Sequence, residues 1–240
     1  MPEALATMKT LAPDQLKKWT RCKKQFYYQH VKQLRWPTDK SNFTLGSDVH
    51  KLMDYQSRAL DCALLLKNAD VKTQLCWEKL SQHPVSQLPV VANEWGFQVP
   101  VMQDLQTTWL TGRIDRIARD VENDKILVID WKTGTAAPKL PHSDWQTIIY
   151  LYAVIEARHD LGLPNLTPAH LQFVYVEVNT RHENAPVRLL PVDYSEKQHA
   201  QNRQLIEKTL ADIDNEEAFD LPNQCPDAWC PYRSICGIQG

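Results

Sequence analysis

The stretch Ile126-Leu127-Val128-Ile129-Asp130-Trp131-Lys132 constrains this chain more than any other. Four apolar residues in succession suit a strand buried on both faces, and the run ends on a carboxylate. A carboxylate there must be paired, hydrogen-bonded or bound to a cation. Side chains alternate along a strand, so Asp130 and Lys132 share a face and Trp131 points the other way. A second acid of this kind, Asp115, lies in Thr111-Gly112-Arg113-Ile114-Asp115-Arg116-Ile117.

Around these strands the chain alternates between two periodicities. Leu16, Trp19, Cys22 and Phe26 predict a helix over Asp14 to Val31, and Val49, Leu52, Met53, Leu60 and Leu64 a second from Gly46 to Lys67. A shorter helix is expected over Val71 to Leu80. After Pro84 and Pro89 the period falls to two. Val90–Val101, Trp109–Arg119 and Lys125–Trp131 read as an antiparallel meander. A helix over Ser143–Asp160, strands over Ala169–Asn179 and Val187–Val192, and a helix over Ser195–Asp212 complete the pattern. The sum is an α/β (α+β) chain with a mixed sheet and helices before, between and after its strands.

Composition narrows the function. The 240 residues are 43% hydrophobic with 27 basic against 29 acidic side chains, which excludes a disordered chain and a uniformly basic, histone-like binder. Seven glycines, none spaced as a dinucleotide or P-loop motif, remove the basis for nucleotide-driven chemistry. The opening Met1–Thr10 lacks a basic segment followed by an apolar core, and no long apolar run is present. A cytoplasmic protein without membrane contact is expected.

Two readings of the acids compete. Asp130 and Lys132 can form a buried ion pair that caps the strand. Alternatively, Asp115 and Asp130 supply oxygen ligands to Mg²⁺ or Mn²⁺ while Lys132 handles the attacking water. The helix that follows adds Gln146 and Tyr150 on one face, spaced to hydrogen-bond a phosphate or base. His50, in Gly46-Ser47-Asp48-Val49-His50, is by itself an ordinary helical histidine. Glu94, at a strand start, reads more as a structural or solvated acid than as a functional one.

Taken in order, Gly46…His50, Gly112-Arg113-Ile114-Asp115, Asp130-Trp131-Lys132-Thr133-Gly134 and Gln146-x-x-x-Tyr150 resemble the PD-(D/E)XK nuclease superfamily. The closest likeness is to its RecB-like branch, which includes CRISPR-associated iron–sulfur exonucleases. The resemblance runs from Leu11 to Cys236. It implies a restriction-endonuclease-like central mixed sheet flanked by helices, and Mg²⁺- or Mn²⁺-dependent hydrolysis of DNA. By the same resemblance His50, Asp115 and Asp130 bind metal, with the carbonyl of Trp131 a further candidate. Lys132 positions or activates water, and Gln146 and Tyr150 support the site and touch DNA. The whole chain, 1–240, is expected to be one nuclease domain: an N-terminal helix (11–36), a core (46–192) and a C-terminal cysteine segment (222–240).

The six cysteines divide in two groups. Cys62 and Cys76 sit among apolar helical residues and read as core. Cys225, Cys230 and Cys236 fall within twelve residues of one another, a pattern of metal ligands rather than disulfides in a chain without an export signal. Zinc is one reading, with a ligand from far upstream. With Cys22, the one-plus-three arrangement resembles the [4Fe–4S] staple of RecB-like nucleases, joining the two ends of the chain. One departure is the spacing of four residues between Cys225 and Cys230, where two are usual.

Arg21, Lys23, Lys24 and Arg113, with Lys17, Lys18, Arg116 and Arg119, are candidate phosphate contacts. At most one of Arg113 and Arg116 faces the substrate, since they fall on opposite faces of their strand. Trp19, Tyr27, Tyr28 and Trp36 offer stacking surfaces for unpaired bases. A solvated basic face is the plainer reading for Lys17 and Lys18. An exonuclease on single-stranded or end-opened DNA, whether of repair, of CRISPR adaptation or of a phage, is expected to rely on a partner such as a helicase for unwinding. The competing functions are a non-catalytic DNA-binding scaffold subunit and a zinc-stabilised interaction module.

Overall fold

The computed structural model describes residues 10–36, 41–103, 106–134, 137–182, 184–219 and 230–236. Its elements run β1 (Thr10–Leu11), α1 (Pro13–Arg21), α2 (Lys23–Phe26), α3 (Ser41–Ser57), α4 (Ala63–Asn68), α5 (Val71–Gln82), β2 (Val90–Gln103) and β3 (Gln106–Asp120). They continue with β4 (Lys125–Thr133), α6 (Trp145–Glu156), β5 (Leu171–Val178), β6 (Arg188–Asp193), α7 (Glu196–Asp214) and α8 (Arg233–Cys236). This is the mixed α/β architecture the sequence pattern predicts.

The strands form one sheet of six. β3 is its spine: β2 runs antiparallel along one edge, while β4 and the short β1 share the other edge at different ends. β5 joins β4 in parallel after the α6 crossover, and β6 closes the edge antiparallel to β5. The meander of β2, β3 and β4 follows from their alternating patterns; Asp120 receives the Asn123 N–H at 3.2 Å, and Asp124 takes a left-handed conformation (φ 51°) to close the second turn.

Two cores cover the two faces. Under α1, α2, α6 and α7 lie Leu16, Trp19, Phe26, Ile114, Val128, Phe173, Tyr175 and Leu210. Under α3 and α5 lie Val49, Met53, Leu80, Ala118, Leu127, Ile129, Trp131 and Val174. β4 therefore contributes alternately to each, as a strand buried on both faces must. Cys62 and Cys76 are buried, and burial pushes the Cys76 thiol up to about 11, so both behave as packing residues.

Three elements depart from the sequence pattern. The expected helix over Asp14–Val31 breaks at Cys22, whose backbone is extended (φ −161°, ψ 102°); its sulfur then accepts the Gln25 N–H at 3.4 Å and caps α2. Tyr27–Val31 continues as a π-helical turn. The expected helix over Gly46–Lys67 is two helices, separated by a turn in which Ala59 has φ 54°, and Leu60 and Leu64 are exposed. β1 has only two residues, too short for a periodic signal.

Candidate active site

Alternation of side chains along β3 fails at one point. Ile114 packs under α6, yet Arg116, two residues on, reaches the Met53 and Ser86 carbonyls and lies over the Trp131 ring, on the opposite face. The interruption falls at Asp115, and across the ladder at Glu94, which has a left-handed φ of 44°. Asn93 pairs with Arg116 and Trp95 with Ile114, so Glu94 and Asp115 stand opposite one another between those two pairs. On its other edge the β3–β4 ladder stops at Arg116–Ile129. There Asp115 Oδ2 accepts the Trp131 backbone N–H at 2.9 Å in place of a strand carbonyl.

Into this opening α3 delivers His50. Its Nδ1 is 3.2 Å from Asp115 Oδ1, and its Nε2 is 2.9 Å from the Trp131 carbonyl oxygen. With that carbonyl accepting Nε2–H, the neutral ring turns its Nδ1 lone pair toward the carboxylates. Ligand atoms of His50, Glu94 and Asp115 all lie within 4.8 Å of one another. Arg113 Nε reaches Glu94 Oε2 at 3.1 Å from the solvent side.

The electrostatics would favour a bound cation. Burial and the facing Asp115 raise the Glu94 pKa, although Arg113 and His50 oppose this. Burial disfavours the His50 imidazolium, but the hydrogen bond and charge of Asp115 prevail and raise it to about 9. One nitrogen and two carboxylates meeting in one opening suit a borderline or hard divalent cation.

Asp130 is not part of that tight trio. Its carboxylate is on the α6 face with 3% of the side chain exposed; Oδ1 accepts from Gln146 Nε2, and Lys132 Nζ lies 2.7 Å from Oδ2. The Lys132 ammonium is thus the direct partner of the buried Oδ2. Burial, then the charge of Asp115, raise the Asp130 pKa, while Lys132 opposes the shift. Lys132 also donates to Gln146 Oε1 at 3.2 Å and lies 5.7 Å from the Tyr175 ring centre. Gln146 thus clamps the acid and the ammonium together from the first turn of α6, whose N-terminus Asp144 caps.

Tyr150 is placed differently from the expectation of a group that touches DNA. It is 8% exposed, its ring stands edge-on to Phe97, and its hydroxyl donates to the Arg113 carbonyl at 2.7 Å. Its contacts brace β3 beside Asp115. The expected stacking surface is also largely spent inside: Trp19 is buried, Tyr27 packs on Phe219 and Tyr28 on Tyr232, leaving Trp36 exposed. Arg116 is buried and unavailable to a phosphate. Lys17 pairs with Asp144 and Lys23 with Glu216; Lys24 lies over Tyr27 and Tyr28. Arg21, at the end of α1, is exposed.

A family model for the PD-(D/E)XK nuclease superfamily matches residues 10–237. The chain belongs to that superfamily. No curated protein matches it in sequence. Among solved structures, a protein of Eubacterium rectale named a "putative exonuclease" shares the fold, with a TM-score of 0.54 at 10% identity over 90% of this chain and 85% of that one. SSO0001 aligns over 95% of this chain and 86% of its own length at 16% identity and a TM-score of 0.49. As a superfamily member, the chain has a nuclease fold built for divalent-metal chemistry, and its His50–Glu94–Asp115 group is the candidate metal site.

Glu94 is the residue that the sequence pattern undervalued. Its spacing from a strand start carries no signal; only the register that sets it opposite Asp115 does. Of the four expected cluster cysteines, Cys225 lies outside the described residues. Cys22 is buried and Cys230 and Cys236 are half-exposed. Among the described residues these thiols do not form a three-ligand group tight enough for one zinc ion. The segments that carry them do pack together: Tyr28 donates to the Ile235 carbonyl at 3.1 Å and Tyr232 to the Leu34 carbonyl at 2.6 Å. Among the described residues, no helix is long and apolar enough to cross a membrane.

Proposed function

We propose that this chain is a single-domain Mg²⁺- or Mn²⁺-dependent deoxyribonuclease of the RecB-like kind, acting as an exonuclease on single-stranded DNA or opened ends. The observation that carries this is the convergence of His50, Glu94 and Asp115 beside a lysine held by Asp130 and Gln146. His50, Asp115 and Glu94 would hold the metal, and Asp130, close enough for its charge to act on His50 and to feel that of Asp115, borders the site. When bound, the ion supplies a lowered water pKa and positive charge at the phosphoryl oxygens. Lys132, held as an ammonium by Asp130 and Gln146, would donate to and orient the attacking water. Gln146 fixes that nitrogen, and Arg113, 71% exposed at the rim, meets the phosphate backbone.

Release of nucleotides from labelled linear DNA with Mn²⁺, lost in Asp115→Asn and Lys132→Ala, tests the reading. Cleavage of covalently closed circles at the same rate would remove the exonuclease part. DNA binding by the parent without turnover would favour the scaffold subunit. Binding through phosphate contacts, including Arg21, Lys23 and Lys24, should weaken steeply with salt. Unwinding would fall to a separate partner such as a helicase.

The packed termini support a [4Fe–4S] cluster held by Cys22, Cys225, Cys230 and Cys236, which would lock α1 and α2 to the C-terminal segment. Anaerobic purification with iron analysis tests this, with Cys22→Ser expected to lose the iron and free the tail to proteolysis.

A further inference from the structure

Among the described residues Arg116 is the largest fully buried side chain, 1% exposed, and the chemistry proposed above does not use it. Its surroundings are unusual for a cation. Among the described residues no carboxylate pairs with it directly, although the charges of Asp54 and Asp115 act on it from nearby. Nε donates to Asn93 Oδ1 at 3.0 Å, one terminal nitrogen to the Ser86 carbonyl at 3.0 Å, the other to the Met53 carbonyl at 2.8 Å, and the carbon of the guanidinium stands 5.1 Å from the Trp131 ring centre. Burying a charge against neutral acceptors is costly, and a hydrocarbon of equal volume would fill the space more favourably. What the planar fork supplies, and a hydrocarbon cannot, is directed bonds into several elements at once.

Those elements are the ones that carry the metal-binding group. Met53 follows His50 by three residues on α3, so its carbonyl is fixed one helical turn from the imidazole. Asn93 precedes Glu94 on β2, and its amide also donates to Ser57 Oγ at 2.6 Å, returning to the end of α3. Trp131 supplies both the N–H received by Asp115 and the carbonyl facing His50. Arg116 itself follows Asp115. Each residue of the trio, together with the backbone between Asp130 and Lys132, therefore has a neighbour bonded to or stacked on one guanidinium.

We infer that Arg116 is a positioning residue: from the α3 side of β3 it fixes the interruption at Glu94 and Asp115, and so holds the carboxylates and His50 at metal-binding distance. Relaxed to regular alternation, β2 and β3 would turn Glu94 and Asp115 to a different angle, and the trio would spread. The inference rests on the metal-site reading, and the two are separable.

The test is Mn²⁺ affinity, measured by calorimetry and by the loss of the free-ion paramagnetic resonance signal, in the parent, Arg116→Met, Arg116→Lys and Asn93→Ala, with kcat and KM for linear DNA alongside. The expected result is a tenfold or greater loss of Mn²⁺ affinity in Arg116→Met, partly restored in Arg116→Lys, with kcat falling and the KM for DNA within twofold of the parent. A folded Arg116→Met with the parent's Mn²⁺ affinity overturns the inference. If Arg116→Met fails to fold, Asn93→Ala decides, since it leaves the bonds to Met53 and Ser86 in place: weakened Mn²⁺ binding at a near-parental melting temperature supports the inference, and unchanged binding overturns it. A parent that binds no Mn²⁺ removes the metal site itself and this inference with it.

Discussion

The carboxylate of Asp115 accepts the backbone N–H of Trp131 at 2.9 Å, at the point where the β3–β4 ladder stops. One oxygen thus completes the sheet while the other, 3.2 Å from His50 Nδ1, faces the candidate metal position. Substitutions should separate these duties. Asp115→Asn keeps an oxygen for Trp131 but removes the charge, so it should fold normally while Mn²⁺ affinity falls by about a hundredfold or more, beyond the usual effect of altering an outer partner. Asp115→Ala also orphans the Trp131 N–H and should cost about 1–3 kcal/mol in urea denaturation. Equal stability of the two variants would contradict the dual role.

Gln146 bonds both Asp130 and Lys132 and, among the described residues, makes no hydrogen bond to His50, Glu94 or Asp115. Removing it should leave DNA binding intact and let the lysine wander. Gln146→Ala is expected to lower kcat by roughly 10–100-fold with little change in KM, the scale of losing a supporting hydrogen bond. Single-turnover kinetics at saturating DNA measure this directly, and a change confined to KM would assign Gln146 to substrate binding instead.

The sequence pattern reached the sheet because β2, β3, β4 and β5 carry strong alternating or doubly apolar runs, and Asp130 and Lys132 do share a face opposite Trp131. It also brought His50 to Asp115 by way of the superfamily motif. It missed the break at Cys22 because Lys23-Lys24-Gln25-Phe26 keeps helical spacing across a single extended residue. It undervalued Glu94 because the decisive fact, a left-handed backbone at the residue facing Asp115, is a property of two strands together. For the same reason Arg116 read as a candidate phosphate contact: regular alternation gives no warning that its strand changes face.

Gly112 is required for close approach rather than for its torsion angles. A Cβ there would lie 2.6 Å from Phe97 Cζ and 3.1 Å from Tyr150 Cε1, and those two rings meet edge to face with centres 5.6 Å apart. Gly112→Ala should therefore destabilise the fold by about 1–3 kcal/mol through overpacking. Chemical denaturation of Gly112→Ala, Phe97→Leu and the double variant checks the cause. The double variant should be more stable than the sum of the two losses predicts, and strict additivity would place the strain elsewhere.

His50 sets opposite pH signs for the metal-free and metal-bound protein. Its folded pKa is raised from 6.5 to about 9 because Asp115 outweighs the cost of burial. In the metal-free chain the imidazolium–Asp115 pair therefore stabilises fully below pH 6.5, and that contribution is lost as pH rises through 9. Metal binding needs the neutral ring, so Mn²⁺ must displace the Nδ1 proton throughout this window. The affinity for Mn²⁺ should rise by about tenfold per pH unit up to the folded pKa and then level off, with roughly one proton released per ion at pH 7.5. Calorimetry in buffers of different ionisation enthalpy counts that proton. His50→Gln should abolish the release, and a parent that binds Mn²⁺ without releasing a proton would show that Nδ1 is not a ligand.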